Sequence, residues 1–217
     1  MGNENNIVIC AAGVGSRLGI NKPKCLLEIE GRPLIHWQLD LLEDFKRIIV
    51  IIGFQYKKVM ETILKKRSDI IFVLNSDYLN TNTLYSLRLG ASKINEPFIS
   101  LDGDLLVVES ALKLIAESPC PTIGVKKTYS EEPVCVTIET NNNKKLVTSF
   151  SRDIMDYEWT GLAKIHPEHL KTKNDAKYIY EALEYILPIN CVEVDCFEID
   201  TKQDFQRAKK WMKKRNL

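Results

Sequence analysis

Apolar positions along this chain fall into two rhythms. Four short runs, "IVICA" (7–11), "RIIVIIG" (47–53), "IIFVLN" (70–75) and "PFISLDGDLLV" (97–107), are dominated by apolar and β-branched residues, the last with an acidic exit. Such runs predict strands buried on both faces. Between them the apolar positions recur at helical spacing. "PLIHWQLDLLEDF" (33–45) places Leu34, Trp37, Leu41, Leu42 and Phe45 on one stripe, with Pro33 at its start. "YKKVMETILKKR" (56–67), "NTLYSLRLGASKI" (82–94) and "ESALKLIAES" (109–118) read as three further helices. After residue 118 strands dominate: 121–127, 134–140, 145–150, 159–165 and 191–199, with "NNN" (141–143) as a hairpin turn. Helical patterns return at 175–187 and 201–215.

Alternating strands and helices predict an α/β fold: a Rossmann-like doubly wound mixed sheet, mostly parallel, with a small β-rich flap on the same sheet in the second half. One domain over 1–217 is expected, in two parts, 1–118 and 119–217. In such sheets ligands lie beyond the carboxyl ends of the strands. The loop after the first strand, "NSDYLNTNT" (75–83) and "DGD" (102–104) fall there.

Charge narrows the function. Thirty basic residues against 29 acidic give a net charge of +1. No large field is available to gather nucleic acid or an anionic membrane, and neither is an expected partner. The six cysteines, at 10, 25, 120, 135, 191 and 196, form no C-x-x-C pair, and the histidines complete no zinc pattern. A reduced, cytoplasmic chain is expected. The polar start "MGNENN" does not read as a signal peptide, and no apolar run approaches a membrane span.

"CAAGVGSRLGINKPKCLL" (10–27) carries the most chemistry. A glycine-rich loop after a first strand is a common phosphate cradle. It lacks the Gly-Lys-Ser/Thr of a Walker loop. Gly13 and Gly15 are followed by Leu18, with Gly19 one place too late for the dinucleotide fingerprint. "AAGVGSRLG…KPKCLLEIEGRPLI" instead resembles the L-A-A-G-x-G-x-R-L…P-K-x-L signature of nucleotidyltransferases of the nucleotide-diphospho-sugar transferase class, over Cys10 to Ile35. The resemblance implies that Ala11, Ala12, Gly13, Gly15 and Ser16 cradle a nucleoside triphosphate. It makes Arg17 and Lys24 catalytic, Arg17 gripping phosphate oxygens and Lys24 placing a point charge on the α-phosphate. Lys22 reads equally well as a solvated loop lysine.

Transfer of a nucleotidyl group calls for Mg²⁺, which takes one or two protein carboxylates. "SLDGDLL" (100–106) offers two. Asp104 aligns best with the family's strand-exit aspartate as a metal ligand; Asp102 is the alternative and is otherwise assigned to the nucleotide. "CFEIDTKQDF" (196–205) is similar to the family's late E-I-D-T/S-x-x-D segment, which makes Asp200 the second metal ligand and Asp195 its rival. A helix cap at Asp200 or Thr201 is the competing structural reading.

Asn82 and Ser86 lie in "NTLYSL" (82–87), similar to the N-x-x-Y-S-L of phosphocholine cytidylyltransferases of bacterial surface-decoration pathways. They can offer the mixed donors and acceptors that a cytosine edge requires. The resemblance implies CTP and a small phosphorylated acceptor as partners. Acceptor candidates are Trp159, Lys164, Tyr180 and Glu181. Tyr180 matches a tyrosine of the phosphocholine enzymes, but Glu181 and Ala182 replace the aromatic and the acid that follow there, so a phosphonate or polyol phosphate competes with phosphocholine. "HPEH" (166–169) reads as a helix start, and the basic 207–215 stretch as a terminal helix docked on the sheet. The expected activity is CMP transfer from CTP with release of pyrophosphate; the alternative is a sugar-1-phosphate nucleotidylyltransferase using UTP or dTTP. Monomer and homodimer both remain open.

Overall fold

Strand β1 (Asn6–Ala11) is buried along almost its whole length, because strands flank both edges and helices cover both faces. The computed structural model describes residues 5–15, 18–172 and 176–215. Through the first half the chain runs β1, the two-residue strands β2 (Glu28–Ile29) and β3 (Arg32–Pro33), helix α1 (Leu34–Asp40), β4 (Arg47–Ile52), α2 (Tyr56–Leu64), β5 (Ile70–Leu74), α3 (Thr83–Ala91), β6 (Phe98–Asp102), β7 (Leu105–Val107) and α4 (Glu109–Glu117). It continues through β8 (Thr122–Lys127), β9 (Cys135–Asn141), β10 (Lys144–Ser151), β11 (Tyr157–Ile165), α5 (Ile179–Leu183), β12 (Ile189–Glu193), β13 (Cys196–Glu198) and α6 (Lys202–Lys213).

Nine strands form one mixed sheet in the order β5-β4-β1-β6-β11-β8-β12-β10-β9. The first four are parallel neighbours. Alternate residues of β1 face opposite cores: Ile7 and Ile9 pack with α1, α2 and α4, while Val8 packs with α3 and α5. The mostly parallel sheet expected from the sequence holds only for this half. Beyond β6 every pairing except β8 with β12 is antiparallel. A short connection imposes this on β9 and β10, consecutive strands joined by a tight turn. The β9–β10 turn is made by Asn142 and Asn143, both at positive φ (48° and 62°), a conformation asparagine tolerates and a two-residue hairpin requires.

Two runs that read as single strands are broken. The 97–107 run turns at Gly103–Asp104, so β6 stays in the main sheet and β7 leaves it. The 191–199 run divides likewise into β12 and β13, and β13 pairs antiparallel with β7 in a separate ribbon. Both breaks fall in short acidic stretches, Asp102–Asp104 and Glu193–Asp195, between apolar flanks that read as one strand. The helix read at 175–187 is shorter: α5 followed by a 3-10 turn at Glu184–Ile186. The Pro167–Leu170 turn is capped reciprocally by His166 and His169, whose rings accept from backbone N–H groups. Helix α6 buries Ala208 and Met212 against the ribbon, as a docked terminal helix. All six cysteines are free thiols, and no helix among the described residues is long and apolar enough to cross a membrane.

Candidate active site

The chain turns outward at the carboxyl ends of β1 and β6, and a cavity of about 370 Å³ opens there. Ala11, Ala12, Gly13, Gly15, Lys24, Asn82, Ser86, Asp102, Asp104 and Asp200 all line it. Ser16 and Arg17 lie outside the described residues. Ten positions named from sequence thus share one cavity, drawn from five separate segments.

Each segment is held by local structure. Pro23 precedes a 3-10 turn over Lys24–Leu26 that presents Lys24. Gly15 has φ +66°, and a Cβ there would stand 2.8 Å from Lys24 Cγ, so glycine lets the loop lie against the lysine stem. Buried Gln38 of α1 donates from Nε2 to the carbonyls of Asp102 and Leu105, both at 2.8 Å, stapling the two strands on either side of the Gly103–Asp104 turn. Ile199 N donates to Asp104 O at 3.1 Å, where the β7–β13 ribbon brings Asp104 beside the end of β13. Asn82 caps α3, its Oδ1 accepting from Tyr85 N at 3.1 Å. Buried Asn75 donates to Ser86 Oγ (3.0 Å) and Thr81 Oγ1 (2.9 Å), tying the 75–83 loop to α3.

At the floor of the cavity Asp104, Glu198 and Asp200 can each offer an oxygen within 4.8 Å of the others. Lys24 Nζ stands among them, 2.7 Å from Asp104 Oδ2 and hydrogen-bonded to Asp200 Oδ1. Burial disfavours its charge, but attraction and hydrogen bonding from Asp104 and then Asp200 outweigh burial and raise its pKa above the usual lysine value. Burial, then repulsion from Asp104, Asp200 and Asp102, pushes the Glu198 carboxyl up to about 8 against the pull of Lys24. Burial and then Asp104 push Asp102 up to about 7. Three carboxylates gathered around one ammonium, with the Glu198 and Asp102 carboxyls held above the usual range, form a hard-oxygen donor set that fits a small divalent ion. The thiols of Cys10 and Cys25 are also pushed up, chiefly by burial and then by neighbouring aspartates, Cys25 to about 12. Both stay protonated and offer no nucleophile.

Glu198 is the residue that sequence reasoning missed. It lies two positions before Asp200, so an extended chain carries both side chains to one face; that alternation was the available signal. Asp195, the rival to Asp200, faces away and pairs with Arg215 and Trp211 of the terminal helix region.

A second cavity of about 280 Å³ adjoins the first and shares Thr83, Asp102, Glu198 and Asp200 with it. Trp159 and Tyr180 line it, as does Arg152. Lys164 and Glu181 line neither cavity. Strand β11 runs antiparallel to β6, so Lys164 sits opposite Ile99, toward the far end of the sheet from Asp102. Its ammonium donates to the carbonyls of Ala116 (2.6 Å) and Ser118 (2.8 Å) at the end of α4. Glu181 caps α5, accepting from Lys177 N and Tyr178 N. Both side chains serve structure where acceptor contact was expected.

Residues 7–148, well over half of the chain, match the model of the MobA-like NTP transferase domain. The chain belongs to the MobA-like NTP transferase family. Its relatives within the wider nucleotidyltransferase group include a CMP-5'-(3-aminopropyl)phosphonate synthase of Streptomyces rubellomurinus, 28% identical over 77% of this chain and 27% of that protein. A choline-phosphate cytidylyltransferase of Streptococcus pneumoniae is 33% identical over 45% of this chain and 43% of its own length. A bifunctional protein GlmU of Cupriavidus taiwanensis is 30% identical over 59% of the chain and 29% of the relative. The chain thus spans less than half the length of these curated relatives. Among solved structures, the CTP:phosphocholine cytidylyltransferase of Streptococcus pneumoniae superposes with a TM-score of 0.74 at 19% identity, over 95% of this chain and 98% of the other. The UDP-glucose pyrophosphorylase of Acinetobacter baumanii gives 0.77 at 14% identity, over 95% and 92%. At these identities the likeness is one of fold, and this family member shares it with proteins named for different nucleotides.

Proposed function

We propose that the protein is a Mg²⁺-dependent cytidylyltransferase that transfers CMP from CTP to a small phosphorylated alcohol or phosphonate and releases pyrophosphate. One observation carries this reading: two cavities meet at a shared wall of Asp102, Glu198 and Asp200, with Lys24 beside it. A donor and an acceptor bound one in each would bring their phosphorus groups together at that wall. In this reading the Ala12–Gly15 loop holds the triphosphate, with Ser16 and Arg17 continuing it, and Asn82 and Ser86 read the base. An oxygen of the acceptor phosphate attacks the α-phosphorus in line, the bond to the β-phosphate oxygen breaks, and pyrophosphate carries the electron pair away. No enzyme nucleophile is needed, in keeping with the protonated thiols. Lys24 leaves the carboxylates to meet charge developing on the α-phosphate. Asp104, Glu198 and Asp200 would hold Mg²⁺, whose chemistry is to neutralise and orient the phosphates.

The choice of CTP rests on the NTLYSL segment and on the names of the phosphonate and choline-phosphate relatives. The name of the UDP-glucose pyrophosphorylase among the similar folds suits a second reading, a sugar-1-phosphate nucleotidylyltransferase using UTP or dTTP. We read the chain as one cytoplasmic domain in which 1–118 binds nucleotide and 119–217 binds acceptor, active as a monomer or homodimer. Labelling tests the chemistry: with CTP labelled at the α-phosphorus the label should enter the acceptor product. Label released as free CMP, or transfer of the γ-phosphate instead, would exclude nucleotidyl transfer.

A further inference from the structure

The second cavity has one feature that the relatives' names do not foretell. Among its lining residues Tyr178 and Tyr180 stack, their ring centroids 5.8 Å apart and the ring planes nearly parallel at 13°. Phe150 continues the aromatic wall to Trp159, with centroids 6.1 Å from Tyr180 and 6.2 Å from Trp159. Of these rings Tyr178, Tyr180 and Trp159 line the cavity, and they could form an aromatic cage for a quaternary ammonium group, which binds within about 6 Å of ring centroids. Here a cation of the chain already holds that place. The Arg152 guanidinium carbon lies 5.1 Å from the Tyr180 centroid and 5.5 Å from that of Tyr178. Its Nη1 donates to the carbonyls of Glu132 (3.3 Å) and Pro133 (3.5 Å), which tether it across the cavity.

We infer that Arg152 determines acceptor specificity: it occupies the Tyr178–Tyr180 wall and adapts the acceptor cavity to hydroxylated phosphate esters, excluding quaternary ammonium ones. The inference rests on the cytidylyltransferase reading and narrows its acceptor. A second cation brought to the same rings meets like-charge repulsion at short range. A hydroxyl meets a planar fork of N–H donors to which its oxygen can bond, over rings that pack against C–H faces. The other charges of the cavity do not undo this. Asp204 is spent on capping Thr201, and the buried Glu158 is paired with Lys126 at 3.2 Å. Asp102, Glu198 and Asp200 belong to the wall shared with the first cavity. Glu131 and Glu132 also line this cavity, but on an exposed segment, where water and salt screen their charge.

The test compares pyrophosphate release from CTP with phosphocholine, glycerol 3-phosphate and inositol 1-phosphate, using wild type, Arg152→Ala and Arg152→Lys. Calorimetric titration of each acceptor into each protein runs alongside. Wild type should favour the better polyol phosphate over phosphocholine by roughly tenfold or more in kcat/KM. Arg152→Ala should shift that ratio toward phosphocholine by a similar factor, mainly through KM. Arg152→Lys, which keeps the charge, should still reject phosphocholine. An unchanged melting temperature and CTP affinity would show that the cavity has not collapsed. A wild-type preference for phosphocholine, or a ratio that Arg152→Ala leaves unmoved, would overturn the inference. If no pairing releases pyrophosphate, the transferase reading fails, and the titrations decide the inference alone: tighter phosphocholine binding by Arg152→Ala than by wild type supports it, and equal binding overturns it.

Discussion

Lys24→Met removes the ammonium from the carboxylate cluster while keeping most of the side-chain stem. The pair members are 17% exposed for Lys24, 18% for Asp104 and 27% for Asp200, so the interaction lies between the surface and buried limits. Exposed pairs are worth up to about 1 kcal/mol, and breaking a fully buried pair costs about 3–5 kcal/mol. The expected loss is therefore about 2–3 kcal/mol, which in a chain of this size lowers Tm by about 4–12 °C. The sign of its pH dependence follows from the neighbours. Lys24, its pKa raised, stays charged through neutral pH and contributes its full stabilisation there. Asp102 and Glu198, raised to about 7 and about 8, bind more protons folded than unfolded, so stability falls as pH rises from the ordinary carboxylate range through those values. Without Lys24 that fall steepens, and the deficit should be larger near pH 8.5 than near pH 6. The assay is thermal unfolding by circular dichroism of both proteins at the two pH values, in EDTA and in saturating MgCl₂. A bound divalent cation replaces the missing charge, so Mg²⁺ should raise the Tm of the variant more than that of wild type. Equal Tm values in EDTA at the higher pH, or a deficit that Mg²⁺ does not narrow, would refute the claim that Lys24 balances a cation-binding carboxylate cluster.

Glu198→Gln should cut turnover on the order of 100-fold and weaken the Mg²⁺-dependent rise in Tm, since it removes one oxygen donor while preserving shape; steady-state rates across a Mg²⁺ titration would show it. Gly161→Ala should destabilise by at least about 1–2 kcal/mol in a denaturant titration, because φ is +82° and the new Cβ would stand 2.5 Å from Asp102 Oδ2. That contact should also disturb Asp102 and lower kcat. Lys164→Met should leave the KM for acceptor unchanged but cost about 1–3 kcal/mol of stability, as two carbonyls at the end of α4 lose their donor. A raised acceptor KM in that variant would return Lys164 to the binding site.

The parallel half of the fold was legible because its strands are apolar, β-branched runs, buried on both faces in all but the edge strand β5. The Gly103–Asp104 turn and the break between β12 and β13 were passed over because apolar residues resume at once beyond the short acidic stretches that mark them. Loop residues of the site were legible for another reason: Gly15, Lys24 and Asp104 fall in the ordered motifs that carry the family resemblance. Side chains within elements were legible only in part: Ser86, Trp159 and Tyr180 line the cavities, and Lys164 and Glu181 do not. Lys164 and Glu181 have the right chemistry for an acceptor phosphate or ammonium group, but strand direction sends one to the far end of the sheet, and a helix start claims the other. Arg152 carried no local signal, since its meaning depends on Tyr178 and Tyr180, more than 25 residues away in sequence. The hairpin at 141–143 was legible, but the antiparallel pairing of β11 with β6 and β8 was not, since it joins strands distant in sequence.

The central claim is most directly tested by pyrophosphate release with Mg²⁺ across CTP, UTP, ATP, GTP and dTTP. Each nucleotide is paired with phosphocholine, 2-aminoethylphosphonate, glycerol phosphate, inositol phosphate and glucose 1-phosphate. The account predicts release confined to CTP with a small acceptor other than a sugar phosphate. Release with UTP or dTTP and glucose 1-phosphate would contradict it and place the protein with the sugar-1-phosphate enzymes.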